Sequence, residues 1–186
     1  AGGRTPPATV KSAMSTATEP AAPSLKQLAL GDLEQELATT RRVLERVPDE
    51  HLAWKPHEKS MPLGSLALHL ANLLYWQLRI LGSDEFDIGA PLPRLAPPAS
   101  RDEVLAAFDA RAAEVREALA AAADDVLTQP WTLRRGDHVM VRQPRVVAMR
   151  TFALSHAAHH RGQHSVYLRL LDVPVPSIYG PSADEQ

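Results

Sequence analysis

The stretch Arg145-Val-Val-Ala-Met-Arg-Thr-Phe-Ala-Leu-Ser-His-Ala-Ala-His-His-Arg-Gly-Gln-His-Ser-Val-Tyr-Leu-Arg-Leu-Leu-Asp-Val173 contains no proline, in a chain that has 16 of them. A proline in a helix interior costs ~3 kcal/mol, so scattered prolines would exclude long helices. Here they are segregated. Three further stretches, 24–47, 63–90 and 99–129, are also free of proline, and the prolines fall between them. Each stretch is long enough for a helix that spans a bundle, and a bundle with one long connection follows.

Each stretch also carries an apolar face. In the first, Leu30, Leu33, Leu37, Leu44 and Val47 recur at helical steps behind Ser24 and Gln27, a capping box. In the second, Leu66, Leu70, Leu73, Leu74 and Leu81 share a side, with Ser60 expected as N-cap and Pro62 in the first turn. The third opens on Ser100 and Glu103, a second capping box, followed by Val104, Phe108, Val115 and Leu119. Between the third and fourth, Trp131 to Val141 is β-prone on both flanks of Gly136-Asp137, which predicts a short hairpin or extended excursion. The tail from Pro174 is expected to be extended and irregular. The fold class that follows is all-α: a four-helix bundle with one excursion between helices three and four.

Composition narrows the chemistry. The chain of 186 residues has no cysteine, which excludes disulfides, thiolate metal ligands and a thiol nucleophile of its own. A net charge of −2 with interspersed signs gives no basic footprint for nucleic acid. No apolar run approaches a membrane span and no signal-peptide core follows the N-terminus, so a cytoplasmic protein is expected. Residues 1–23 are too poor in apolar side chains to offset their ordering entropy. They are expected to be disordered, with residues 1–13 an added or extended leader and Met14 a candidate start. Residues 24–186 form the single expected domain. Arginine outnumbers lysine 16 to 4, as in many bacteria with GC-rich genomes.

Four histidines, His156, His159, His160 and His164, lie within the last proline-free stretch. On a wheel of ~100° per residue, the apolar stripe comprises Met149, Phe152, Ala153, Tyr167, Leu170 and Leu171. His156 and His160 fall in its middle together with Gln163, while His159 and His164 fall on its borders as bystanders or pocket rim. Arg150, Arg161 and Arg169 point away. Taken singly, a buried histidine is more simply a hydrogen-bonded core residue. Two of them one turn apart both need partners in a low-dielectric interior, and a divalent ion satisfies both lone pairs. Two ligands do not complete a site. His69, at the edge of the apolar face of the second helix, supplies a third, and Trp76 on the same edge is placed to wall a pocket. His51, His57 and His138 are expected at the surface. Gln163 is expected either to orient a coordinating histidine or to bridge buried polar groups, and Gly162 to permit close helix approach. Residues 145–171 contain no Asp or Glu, so any general base comes from another element or from solvent.

The run His156-Ala-Ala-His-His-Arg-Gly-Gln163, followed by Tyr167-Leu-Arg169 and Pro176-Ser-Ile-Tyr-Gly-Pro-Ser182, resembles the DinB family of the DinB/YfiT-like superfamily. Leu68-His-Leu-Ala-Asn72 is similar to that family's first metal-ligand motif. The resemblance covers residues from about 25 to 185. It implies a four-helix bundle, usually a homodimer, with a divalent metal held by His69, His156 and His160; His159 matches a position where the family often has an aromatic or another histidine. It also implies thiol-dependent transferase or isomerase chemistry with a low-molecular-weight thiol cosubstrate, or metal-dependent hydrolysis, with a non-catalytic stress-response bundle as the alternative. Zn or Ni is the first expectation for the metal, and Fe, Mn, Co or Cu also suit three imidazoles.

Overall fold

The computed structural model describes residues 22–91 and 95–185. Almost all of the segment expected to be disordered, residues 1–21, lies outside the described residues. In chain order the elements are α1 (Leu25–Leu44), α2 (Leu63–Asn72), α3 (Tyr75–Gly82), β1 (Glu85–Asp87), α4 (Arg101–Ala121), β2 (Pro130–Arg135), β3 (His138–Pro144), α5 (Arg145–Met149), a π-helical stretch Arg150–Ser155, and α6 (His156–Leu170). The helices dominate. α1 and α2 each pack on α4 and α6, and α3 packs on α4 and α5.

The helix starts follow local chemistry. Ser24 accepts a hydrogen bond from the Gln27 amide while the Gln27 side chain accepts from the Ser24 amide, so the first capping box is formed. Ser100 accepts from the Glu103 amide at 3.1 Å, but the Glu103 carboxylate reaches the Ala99 amide instead of completing the box. For α2 the expected Ser60 cap is not used. The helix begins one residue after Pro62, and its first two amides donate to the carbonyls of Trp54 and Leu52. Those bonds demand close approach: a Cβ on Gly64 would lie 3.1 Å from both the side chain and the carbonyl oxygen of Leu52. Gly64 thereby fixes the helix that carries His69.

Two expectations need correction. The second proline-free stretch is not one helix. Leu73 and Leu74 form a tight turn closed by i→i+3 bonds, from the Trp76 amide to Leu73 and from the Gln77 amide to Leu74. No proline or glycine marks that break. Nor is the domain strictly all-α. The expected hairpin is present, turning through Gly136 at φ +56°, but β1 pairs in parallel with β2 to make a three-stranded sheet in the order β1-β2-β3. The sheet buries Phe86, Trp131 and Leu133 against the helices. The fold is predominantly helical with this small sheet appended.

The main core draws on the apolar residues read from periodicity, among them Leu33, Leu37 and Leu44 of α1, Leu66 and Leu70 of α2, and Val104, Phe108, Val115 and Leu119 of α4. In the last segment the pattern departs from the wheel. Within α6 the buried residues are Ala157, His160, Arg161, His164, Tyr167 and Leu168, while Leu170 is 58% exposed. A π turn accommodates one residue more than an α turn, and one residue is about 100° of helical phase. The π-helical stretch just before α6 therefore rotates the inward face from 156/160/163 to 157/161/164. Arg161, expected in solvent, is fully buried; His164, expected on a border, is fully buried as well. Beyond α6 the tail has no regular structure among the described residues, as expected.

Gly162 is exposed, and a Cβ built on it meets nothing within 4 Å. It does not serve close helix packing. Gly162→Ala is expected to raise stability by up to ~1 kcal/mol through helix propensity, measured by urea denaturation.

Candidate metal centre

His69 on α2 and His156 and His160 at the start of α6 converge. One ring nitrogen from each lies within 4.8 Å of the others. His160 Nε2 is 2.9 Å from His156 Nε2 and 3.1 Å from His69 Nε2. The phase shift from the π stretch matters here. It leaves His156 and His69 half-buried and His160 9% exposed, at the margin of the helical core and not in its middle.

A hydrogen bond behind the His160 ring sets its tautomer. His160 Nδ1 faces Gln163 Oε1 at 2.7 Å. The Phe152 carbonyl lies close enough to the His156 ring to favour its protonated form. An oxygen acceptor requires N–H on the ring nitrogen it faces, and a neutral imidazole has only one such hydrogen. With Nδ1 of His160 protonated, its Nε2 presents a bare lone pair to His156 Nε2 at 2.9 Å and to His69 Nε2 at 3.1 Å. A cation among these nitrogens would take that lone pair. Imidazole nitrogens bound to one ion at about 2.0–2.1 Å in tetrahedral geometry would be separated by about 3.3–3.4 Å, a few tenths of an ångström wider than the spacing seen.

Protonation does not fill that lone pair near neutral pH. Burial, with the neighbouring His160 and His156 adding to it, pushes the His69 pKa down to about 4. Burial also lowers His156 and His160, against the opposing hydrogen bonds of Phe152 and Gln163. All three are therefore neutral ligands at pH 7, the form a metal requires.

The other residues singled out from sequence separate clearly. His159 is exposed, its ring centroid 4.9 Å from that of His160, and it is not part of the converging set. Gln163 is exposed at its surface and bonded to His160 beneath. Trp76 lies in an aromatic cluster with Phe86, Trp131 and Phe152, and stacks on Phe152 at 5.4 Å. Its link to the triad runs through Phe152. His57 and His138 are exposed and His51 is half-buried. The Phe152 carbonyl was not visible to sequence reasoning, since a backbone acceptor leaves no side-chain signal.

The profile of the DinB superfamily matches residues 32–164. The chain belongs to the DinB superfamily. This DinB-superfamily chain is 25% identical over 152 residues to the uncharacterized protein YrdA of Bacillus subtilis (strain 168), a match that covers 82% of this chain and 86% of YrdA. Among solved structures it is similar to a DinB-like protein of Bacillus cereus ATCC 10987, with a TM-score of 0.67, 23% identity, and coverage of 84% and 98% of the two chains. A second DinB-like protein, YjoA of Bacillus subtilis, matches with a TM-score of 0.60 at 14% identity, covering 86% of this chain and 99% of that one. No helix among the described residues is long and apolar enough to cross a membrane.

One histidine outside the triad carries a pH expectation. His164 is fully buried, neither ring nitrogen has a hydrogen-bond partner of good geometry, and burial pushes its pKa down to about 4. The unfolded chain binds this proton near pH 6.5 and the folded chain only near 4, so stability falls with pH between those values. The contribution is present in full above about pH 6.5 and is lost by about pH 4, at roughly 3 kcal/mol. Chelator-treated protein followed by urea denaturation should show that acid slope, and His164→Leu should flatten it. An unchanged slope would mean that other groups carry it.

Proposed function

We propose that this protein binds one divalent metal ion through His69, His156 and His160. In this reading it uses the ion to activate a thiolate or water nucleophile against a small-molecule electrophile, as a transferase, isomerase or hydrolase. The observation that carries it is the convergence of three ring nitrogens, with His160 Nε2 2.9 Å from His156 Nε2 and 3.1 Å from His69 Nε2. When bound, such an ion supplies Lewis acidity and lowers the pKa of a coordinated water or thiol. The chain's own residues do the rest. Gln163 holds His160 with Nε2 toward the other two rings. The half-exposed setting of His69 and His156 leaves the centre accessible to a cosubstrate. A low-molecular-weight thiol suits a chain without cysteine. Zn and Ni are the first metals to test, followed by Fe, Mn, Co and Cu.

The non-catalytic alternative rests on a specific feature: residues 145–171 offer no carboxylate as a base beside the triad. Metal analysis of protein purified without chelator, then turnover assays with thiol-dependent, ester and amide substrates, separates the readings. Metal with turnover supports the enzyme and metal without turnover supports the alternative. Absence of metal, with no thermal shift on adding Zn²⁺ or Ni²⁺, overturns both.

Gln163→Ala should weaken metal binding by about 10–100-fold while leaving apo stability nearly unchanged, because it removes only the group that sets the His160 tautomer. Competition with a chromogenic chelator measures it. We also read the packed helices as a four-helix bundle, and the protein as a cytoplasmic homodimer. Light scattering tests the dimer against a chain mass of 20.3 kDa.

A further inference from the structure

Away from the histidines, a cavity of about 60 Å³ lies in the seam where α1, α3 and α4 meet α5 and the π stretch. Its walls are apolar: Ala29, Leu33, Leu119, Val146, Met149 and Leu154. The exception is Gln77, which lines the cavity although its side chain is only 1% exposed and its Oε1 has no hydrogen-bond partner. Solvent-facing Asp32 and Arg150, ion-paired to each other, form the rim. A buried amide oxygen without a partner costs about 1–3 kcal/mol. A glutamine kept at such a position in an otherwise apolar wall marks a place where a donor is received.

We propose that this cavity is a binding site for a small, neutral, mostly apolar molecule bearing one O–H or N–H donor, such as a short-chain alcohol or primary amide, with the donor on Gln77 Oε1. Size sets the limit. A water needs ~10–15 Å³ of such space, so the cavity takes a ligand of about three to five non-hydrogen atoms. Charge is excluded because the lining offers no free counter-charge, Asp32 and Arg150 being satisfied by one another. None of the lining residues belongs to the histidine triad, so the site stands or falls independently of the metal reading.

The test titrates 1-propanol, and separately propionitrile, a four-heavy-atom comparator that accepts but cannot donate. Methyl NMR of the purified full-length protein is the readout. Saturable shifts confined to the methyls of Leu33, Leu119, Val146, Met149 and Leu154 are expected, with propanol bound about tenfold more tightly, the worth of one hydrogen bond. Gln77→Met should erase that preference. Ala29→Leu, which fills the cavity from α1 without touching the amide, should abolish binding of both probes while the remaining spectrum keeps its folded dispersion. Equal affinity for the two probes, no saturable shift at those methyls, or binding that survives Ala29→Leu overturns the proposal.

Discussion

Replacing His160 with alanine is expected to eliminate the response of this protein to divalent metal. In wild type, saturation at about 100 times the dissociation constant adds ~2.7 kcal/mol to stability, which for a domain of this size raises the melting temperature by about 5–10 °C. His160 sits between the other two rings, its Nε2 3.1 Å from that of His69 and 2.9 Å from that of His156. Without it His156 and His69 no longer share a common neighbour, and affinity should fall by more than the 10–100-fold typical of losing an outer partner. A second consequence distinguishes a ligand from an ordinary core residue. In excess chelator the variant and wild type should melt within a few degrees of one another, because the metal-linked part of the stability is absent from both. Differential scanning calorimetry with and without Zn²⁺ or Ni²⁺ measures both. A variant that keeps the full metal shift rules out the three-histidine centre.

The largest loss of stability is expected one residue later. Arg161 is fully buried, ion-paired with Glu36, bonded to the Glu36 carbonyl at 3.1 Å and to Thr40 Oγ1 at 2.7 Å, and capped by the Tyr179 hydroxyl. The guanidinium also lies 5.2 Å from the centre of the Tyr179 ring. Arg161→Met leaves the Glu36 carboxylate, 13% exposed, without its counter-charge, and removing one member of a buried pair costs about 3–5 kcal/mol. By contrast, the surface position expected from the wheel would cost no more than ~0.5 kcal/mol. Arg161→Met with Glu36→Leu should recover most of the loss, because the pair, not the arginine alone, must be desolvated. Urea denaturation of the two variants decides it: a single variant within 0.5 kcal/mol of wild type would show that the pair is immaterial.

Much of this molecule was legible in its sequence, for identifiable reasons. Proline positions marked the helical stretches because the penalty for an internal proline is large and local. The apolar spacing of α1 and α4 identified their core faces because those helices are regular from cap to cap. The three converging histidines came from one uniform wheel plus a recognised motif. What was missed lay where local signals vanish. The turn at Leu73 and Leu74 contains neither proline nor glycine. The strand Glu85–Asp87 is too short to show alternation and is held by pairing with a hairpin 45 residues further on. The burial of Arg161 and His164 depended on a single extra residue of helical phase, which no residue type in Arg150–Ser155 announces.

That extra residue sets the division of labour on α6. Were the π stretch to relax into regular α-helix, by deletion of one residue between 150 and 155, the last helix would turn by about 100° against its neighbours. His156 and His160 would swing into the hydrocarbon interior, and Arg161 would return to solvent and release Glu36 and the tail at Tyr179. The same fifteen residues of α6 thus encode two different surfaces, and the wider coil ahead of them selects the one displayed. Burial patterns carried over from a relative therefore hold only where that relative keeps the same count of residues through this coil.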